Sequence, residues 1–171
     1  MSRYLVFLDI DGVFTSSRVH YSRTDAYDMW AKFDPVAVDF MNKISDRFHN
    51  VEFVCMSTWK NFLDTKSQST VHVFEAMWRN AGFKGKFADP WKTDPDNTLW
   101  KSAGMDRGDE VVHYLENYGS DVTDYILFDD NAYNFNKVLP KKRLIQTNPE
   151  NGLLYRHMTD AMSIMGNWNE K

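Results

Sequence analysis

Two short apolar runs in this chain each break off at a pair of acids. Tyr4 to Leu8 is uninterrupted hydrophobic sequence that stops at Asp9-Ile10-Asp11-Gly12, and the run from Asp124 to Phe128 ends in Asp129-Asp130. Continuous runs of this length suit strands buried on both faces, the environment of a parallel sheet. A carboxylate cannot carry such a strand further into a core, so the acids mark where each strand leaves it. In open parallel sheets the functional groups gather just beyond the carboxyl ends of the strands. If these strands are neighbours, four carboxylates share one crevice and repel one another unless a cation sits among them.

The remaining elements complete the pattern. Val51 to Met56 reads as another strand, leading into Ser57-Thr58-Trp59, and Arg143 to Gln146 as a last one. Phe83 to Ala88 offers a weaker strand signal, and Asp89 to Asp106, rich in Pro, Asp, Asn and Gly, reads as a long surface loop. Asp34-Pro35 is an N-cap followed by proline at the first helical position, with Val36, Phe40, Met41, Ile44 and Phe48 at helical spacing. Further helices are expected over a stripe from Val71 to Trp78 ended by Gly82, from Arg107 to Asn117, and from Leu154 to Met165. Strands alternating with helices imply an α/β fold, a three-layer Rossmann-like parallel sheet with helices on both faces. Val13 to Phe33 has no clean period and reads as a small flap or cap after the first strand.

Composition bounds the function. At 171 residues the chain is expected to form one domain over residues 1–171. A single cysteine, Cys55, excludes an intramolecular disulfide and a multi-cysteine zinc site; lying in an apolar run, it reads as an inert core residue. The net charge of −4 gives no general attraction to a nucleic-acid backbone, although one phosphate or one strand end can still be gripped. The opening MSRYLVFLDIDGVF carries two aspartates in its apolar stretch, which fits neither a signal peptide nor a membrane span and leads to the expectation of a soluble, cytoplasmic protein.

An all-oxygen, carboxylate-rich site favours a hard cation, with Mg²⁺ the default. Beside such a metal, one carboxylate can attack phosphorus to give an aspartyl-phosphate while a second, two residues on, protonates the leaving oxygen and later activates water. Gly12 lets the chain turn so that Asp9 and Asp11 both enter one pocket. Ser57 or Thr58 offers a hydroxyl to a phosphate oxygen, with a cap on the segment that follows as the lesser reading of Ser57.

With these residues in place the chain resembles the haloacid dehalogenase superfamily. Asp9-Ile10-Asp11-Gly12-Val13 is similar to its first motif, the Val51–Ser57 strand to its second, and Ile126-Leu127-Phe128-Asp129-Asp130 to its fourth. The resemblance implies Asp9 as nucleophile and metal ligand, and Asp11 as general acid/base that gives the metal its backbone carbonyl. It implies Ser57 as a phosphate ligand, and Asp129 and Asp130 as completing the metal site, with either of them the direct ligand. The third-motif cation is best matched by Arg107, then by Lys101, with Lys60 behind them. An acid at position 11 implies a phosphatase or phosphotransferase. Ser-Thr-Trp-Lys at the second motif and Asn148-Pro149-x-x-Gly152-Leu153 near the end are similar to small nucleic-acid end-repair phosphatases and deoxynucleotidases. The implied substrate is a nucleotide or a nucleic-acid terminal phosphate, with small sugar or metabolite phosphates and a non-catalytic binding module as alternatives. A signalling receiver domain fits less well, because it needs adjacent acids after the first strand and a lone aspartate after the third. His20, Tyr21, Tyr27 and Trp30 in the flap can touch a substrate or pack the flap onto the domain.

Overall fold

A computed structural model describes residues 2–22, 33–62, 69–96, 98–99, 105–139 and 142–171, with side chains described for all of these except 22, 62 and 69–72. Its elements run β1 (Arg3–Leu8), α1 (Ser17–Ser22), α2 (Pro35–Arg47), β2 (Val51–Cys55), α3 (Trp59–Phe62), α4 (Ser69–Asn80), β3 (Lys86–Lys92), α5 (Arg107–Tyr118), β4 (Val122–Asp129), α6 (Phe135–Val138), β5 (Leu144–Gln146) and α7 (Tyr155–Ile164). Among the described residues the strands form one all-parallel sheet in the order β3-β2-β1-β4-β5.

Side-chain alternation along the central strands divides the core into two layers. Tyr4, Val6 and Leu8 of β1, with Phe53, Cys55, Ile126 and Phe128, face one side, where they meet Phe40, Met41 and Ile44 of α2 and Phe74, Met77 and Trp78 of α4. Leu5 and Phe7, with Val54, Met56 and Leu127, face the other and meet Val111 and Tyr114 of α5 and Phe135 of α6. A strand covered on both faces needs no polar residue until it leaves the sheet, which explains the two uninterrupted runs. Asp34 caps α2 as expected, its Oδ1 accepting the Val36 N–H at 2.9 Å, and Gly82 ends the α4 turn at φ +89°. No helix among the described residues is long and apolar enough to cross a membrane.

One expectation is corrected. β3 begins at Lys86 and continues through Asp89-Pro90 to Lys92, inside the stretch expected to be loop. Among the described residues it is an edge strand paired only with β2, and an edge is where a sheet tolerates proline. Of the segment after β1, expected as a small flap or cap, residues 23–32 lie outside the described residues. At its described ends Val13, Phe14, Val19 and Phe33 are buried in the core, and residues 17–22 form a helix in a stretch that shows no clean period. Phe14 stacks against Phe33 and meets Trp78 edge-on, so aromatic packing fastens this segment to the α4 side of the sheet. Tyr27 and Trp30 lie outside the described residues.

Candidate active site

β1 lies between β2 and β4, so the sheet order reverses at its carboxyl end, the place where such folds keep their crevice. The register places Leu8 opposite Cys55 on one side and Phe128 on the other. The next residues of all three strands therefore emerge together, held by Asp9 N–H to the Phe128 carbonyl and Met56 N–H to the Leu8 carbonyl, both at 2.9 Å. Asp9 and Asp129 are buried and Asp130 is half-buried, and one carboxylate oxygen from each lies within 4.8 Å of the others. Gly12 makes this approach possible. It has φ +72°, and a Cβ there would stand 2.5 Å from the Asp130 side chain. The turn is fixed by Gly12 N–H to the Thr15 carbonyl and by the Thr147 hydroxyl to the Gly12 carbonyl, each at 2.7 Å.

Arg107 supplies the cation. Its Nη1 donates to Asp129 Oδ2 at 2.7 Å and lies 3.2 Å from Asp9 Oδ1, while the guanidinium sits 4.6 Å from the Tyr133 ring centre. The start of α5 aims this side chain. Asp106 and Asp109 form a capping box, Asn134 Nδ2 donates to Asp109 at 2.9 Å, and Gly108 lets Asn134 approach closely enough that a Cβ would overlap it. Burial opposes the Arg107 charge, but Asp9 and Asp129 outweigh it and raise its pKa further. Burial first and the Asp9 charge second push the Asp129 carboxyl up to about 7, against the pull of Arg107. Burial and Asp9 also raise Asp130. Three converging carboxylates against one guanidinium leave negative charge in excess, and the donors are all oxygen. Such a set suits a hard divalent cation.

Asp11 stands apart from that cluster. It is exposed, with Oδ1 accepting the Thr15 hydroxyl and Oδ2 the Trp59 indole N–H, both at 2.8 Å. Ser57 is buried just past the end of β2, and its Oγ accepts the Trp59 N–H at 3.4 Å, so it caps α3. Thr58 is half-buried beside it and lines a cavity of about 200 Å³ together with Met56, Lys60, Met105, Arg107 and Tyr133. Lys60, the weakest of the three candidates for the third-motif cation, has its ion pair with Glu110 of α5. Its buried Nζ also donates to Thr93 Oγ1 at 2.8 Å, so its charge is already neutralised. Lys101 lies outside the described residues. Cys55 is buried and its thiol is pushed up to about 12 by burial, which suits the inert role expected of it.

Residues 5–158 match the family model for the HAD domain in Swiss Army Knife RNA repair proteins. The chain belongs to that family. No curated protein and no solved structure matches it. In this HAD domain Asp9 of the first motif, but not Asp11, converges with Asp129 and Asp130 of the fourth, and Arg107, the residue preferred from sequence over Lys101 and Lys60, bridges Asp9 and Asp129. Two features of the site escaped the sequence reading: the contact from Trp59 to Asp11, and the buried Lys60–Glu110 pair beneath it. The adjacency of Trp59 and Lys60 to Ser57 was the available signal, but nothing in the spacing specified partners 48 and 50 positions away.

Proposed function

We propose that this HAD domain is a Mg²⁺-dependent phosphomonoesterase acting on a nucleotide or a nucleic-acid terminal phosphate. The observation that carries the reading is Arg107 bridging Asp9 and Asp129 at the carboxyl end of the central strand. It pairs a buried nucleophile with a fixed positive charge suited to a phosphoryl group. Asp9, Asp129 and Asp130, with the Asp11 backbone carbonyl, are the residues that would hold Mg²⁺. When bound, the ion supplies positive charge that offsets the anionic phosphoryl oxygens.

A carboxylate oxygen of Asp9 forms the new bond to phosphorus as the ester P–O bond breaks, and Asp11 gives its proton to the departing oxygen. Asp11, now ionised, takes a proton from water as that water attacks phosphorus. Phosphate leaves and Asp9 is regenerated as its carboxylate. Ser57, Thr58 and Arg107, with Lys101 as a further candidate, bind the phosphoryl oxygens. The family's occurrence in RNA repair proteins favours a strand end over a sugar phosphate, and the net charge of −4 favours a grip on one terminus over extended binding.

The test is phosphate release, with and without Mg²⁺, from 3′- and 5′-nucleotides, 3′- and 5′-phosphorylated oligonucleotides, sugar phosphates and an aryl phosphate. Turnover that is lost with EDTA and falls about 10⁴-fold or more in Asp9→Asn is the expected result. Turnover that survives Asp9→Asn would eliminate the aspartyl-phosphate route.

A further inference from the structure

Asp11 faces water, and an exposed carboxylate is not normally held in one rotamer. Here each of its oxygens accepts one hydrogen bond at 2.8 Å, from the Thr15 hydroxyl and the Trp59 indole N–H, and two donors on opposite oxygens fix the plane of the group. A carboxylate has further lone-pair sites, so both oxygens keep room for a proton or a substrate oxygen.

The donor is itself held. Trp59 opens α3, a single helical turn whose first N–H is capped by Ser57 Oγ. The next residue, Lys60, anchors the same turn from below through Glu110, Thr93 and the Met56 carbonyl. The Trp59 ring packs against the core, 6.3 Å from the Phe33 ring. Its N–H edge is therefore presented to Asp11 from a fixed platform, and the indole offers a donor with no acceptor chemistry to compete.

We infer that Trp59 is a positioning residue for Asp11: its indole N–H, with the Thr15 hydroxyl, sets the orientation from which Asp11 protonates the leaving oxygen. This rests on the phosphatase reading above. A group that acts through Asp11 matters most where protonation matters most, on esters with poorly leaving alkoxides such as a ribose hydroxyl, and less on activated aryl esters.

The experiment compares kcat/KM, which reports steps up to departure of the leaving group, for a nucleoside monophosphate and for 4-nitrophenyl phosphate. Trp59→Phe keeps the ring and removes the donor. It is expected to cost about 10- to 100-fold more on the nucleotide than on the aryl ester, and to add no further loss in an Asp11→Asn background. Equal losses on both esters, or an undiminished loss in that background, would assign Trp59 a merely structural role and overturn the inference. A second measurement does not depend on turnover. Among the indole N–H resonances of the six tryptophans, the one missing in Trp59→Phe is expected to shift in Asp11→Ala, and an unmoved resonance overturns the contact. If the wild-type protein turned over no phosphate ester with Mg²⁺, the phosphatase reading would fail, and the catalytic role of Trp59 with it, while the resonance would still decide the contact.

Discussion

Asp9 and Asp129 sit almost out of water against a single guanidinium, whereas Asp11, two positions from Asp9, is exposed and held by an indole and a hydroxyl. In the buried half charge governs. The low local dielectric makes each neighbour count: burial and Asp9 push the Asp129 carboxyl up to about 7, toward its neutral form, while burial of Arg107 is outweighed by Asp9 and Asp129, which hold it charged. In the exposed half Coulomb forces are weak, and direction has to come from well-placed donors. The buried half is thus built to hold positive charge, and the exposed half to aim one group. The Lys60–Glu110 pair ties them, since Lys60 belongs to the turn carrying Trp59 and Glu110 to the helix carrying Arg107.

The largest effect is expected from cutting that tie. Lys60→Met leaves Glu110 buried without its partner, which costs about 3–5 kcal/mol of stability by urea unfolding, and the double variant Lys60→Met/Glu110→Leu recovers most of it. A single variant as stable as the parent would mean that the two halves are held independently. Next comes Arg107→Met, expected to lower kcat/KM by about 10²- to 10³-fold on alkyl and aryl esters alike, because it acts on the phosphoryl group common to both. A loss confined to alkyl esters would erase the distinction between charge and aim.

The smallest effect concerns the brace beneath the exposed half. Buried His157 accepts the Leu154 N–H on Nδ1 at 2.9 Å, next to Leu153, whose N–H binds the Val13 carbonyl. Burial, then Arg156, lowers its pKa, so the unfolded chain binds the proton more readily. Its contribution is therefore present above the unfolded value of about 6.5 and is lost as pH falls below it. The stability difference between the wild type and His157→Gln is expected to shrink between about pH 7.5 and 5.5; a constant difference would show that the imidazole never needed to be neutral.

What the sequence disclosed follows the same division. Asp9, Asp129 and Asp130 were legible because a buried strand tolerates acids only where it ends, and Arg107 because it opens the helix before β4. The sheet and its two covering layers followed from the apolar runs and helical stripes. The weak strand signal over Phe83–Ala88 marked the start of β3, but its continuation to Lys92 was not legible, because Asp89-Pro90 looks like a turn until the strand is known to lie at an edge. Trp59 and Lys60 were hidden for a different reason: a hydrogen bond between distant segments leaves no period in either of them.

The strand order also bears on how the chain comes to be folded. β1 is made first and meets β2 by residue 55, but its other flank waits for β4 at Val122–Asp129. Until then the innermost strand of the finished sheet is an outer one, offering a row of unpaired amides flanked by Leu5, Phe7 and Leu8, the kind of edge that recruits other chains. A product cut short ahead of Val122 would keep that adhesive edge and lack Asp129 and Asp130. One late strand thus both covers the flank of the first and completes the carboxylate cluster.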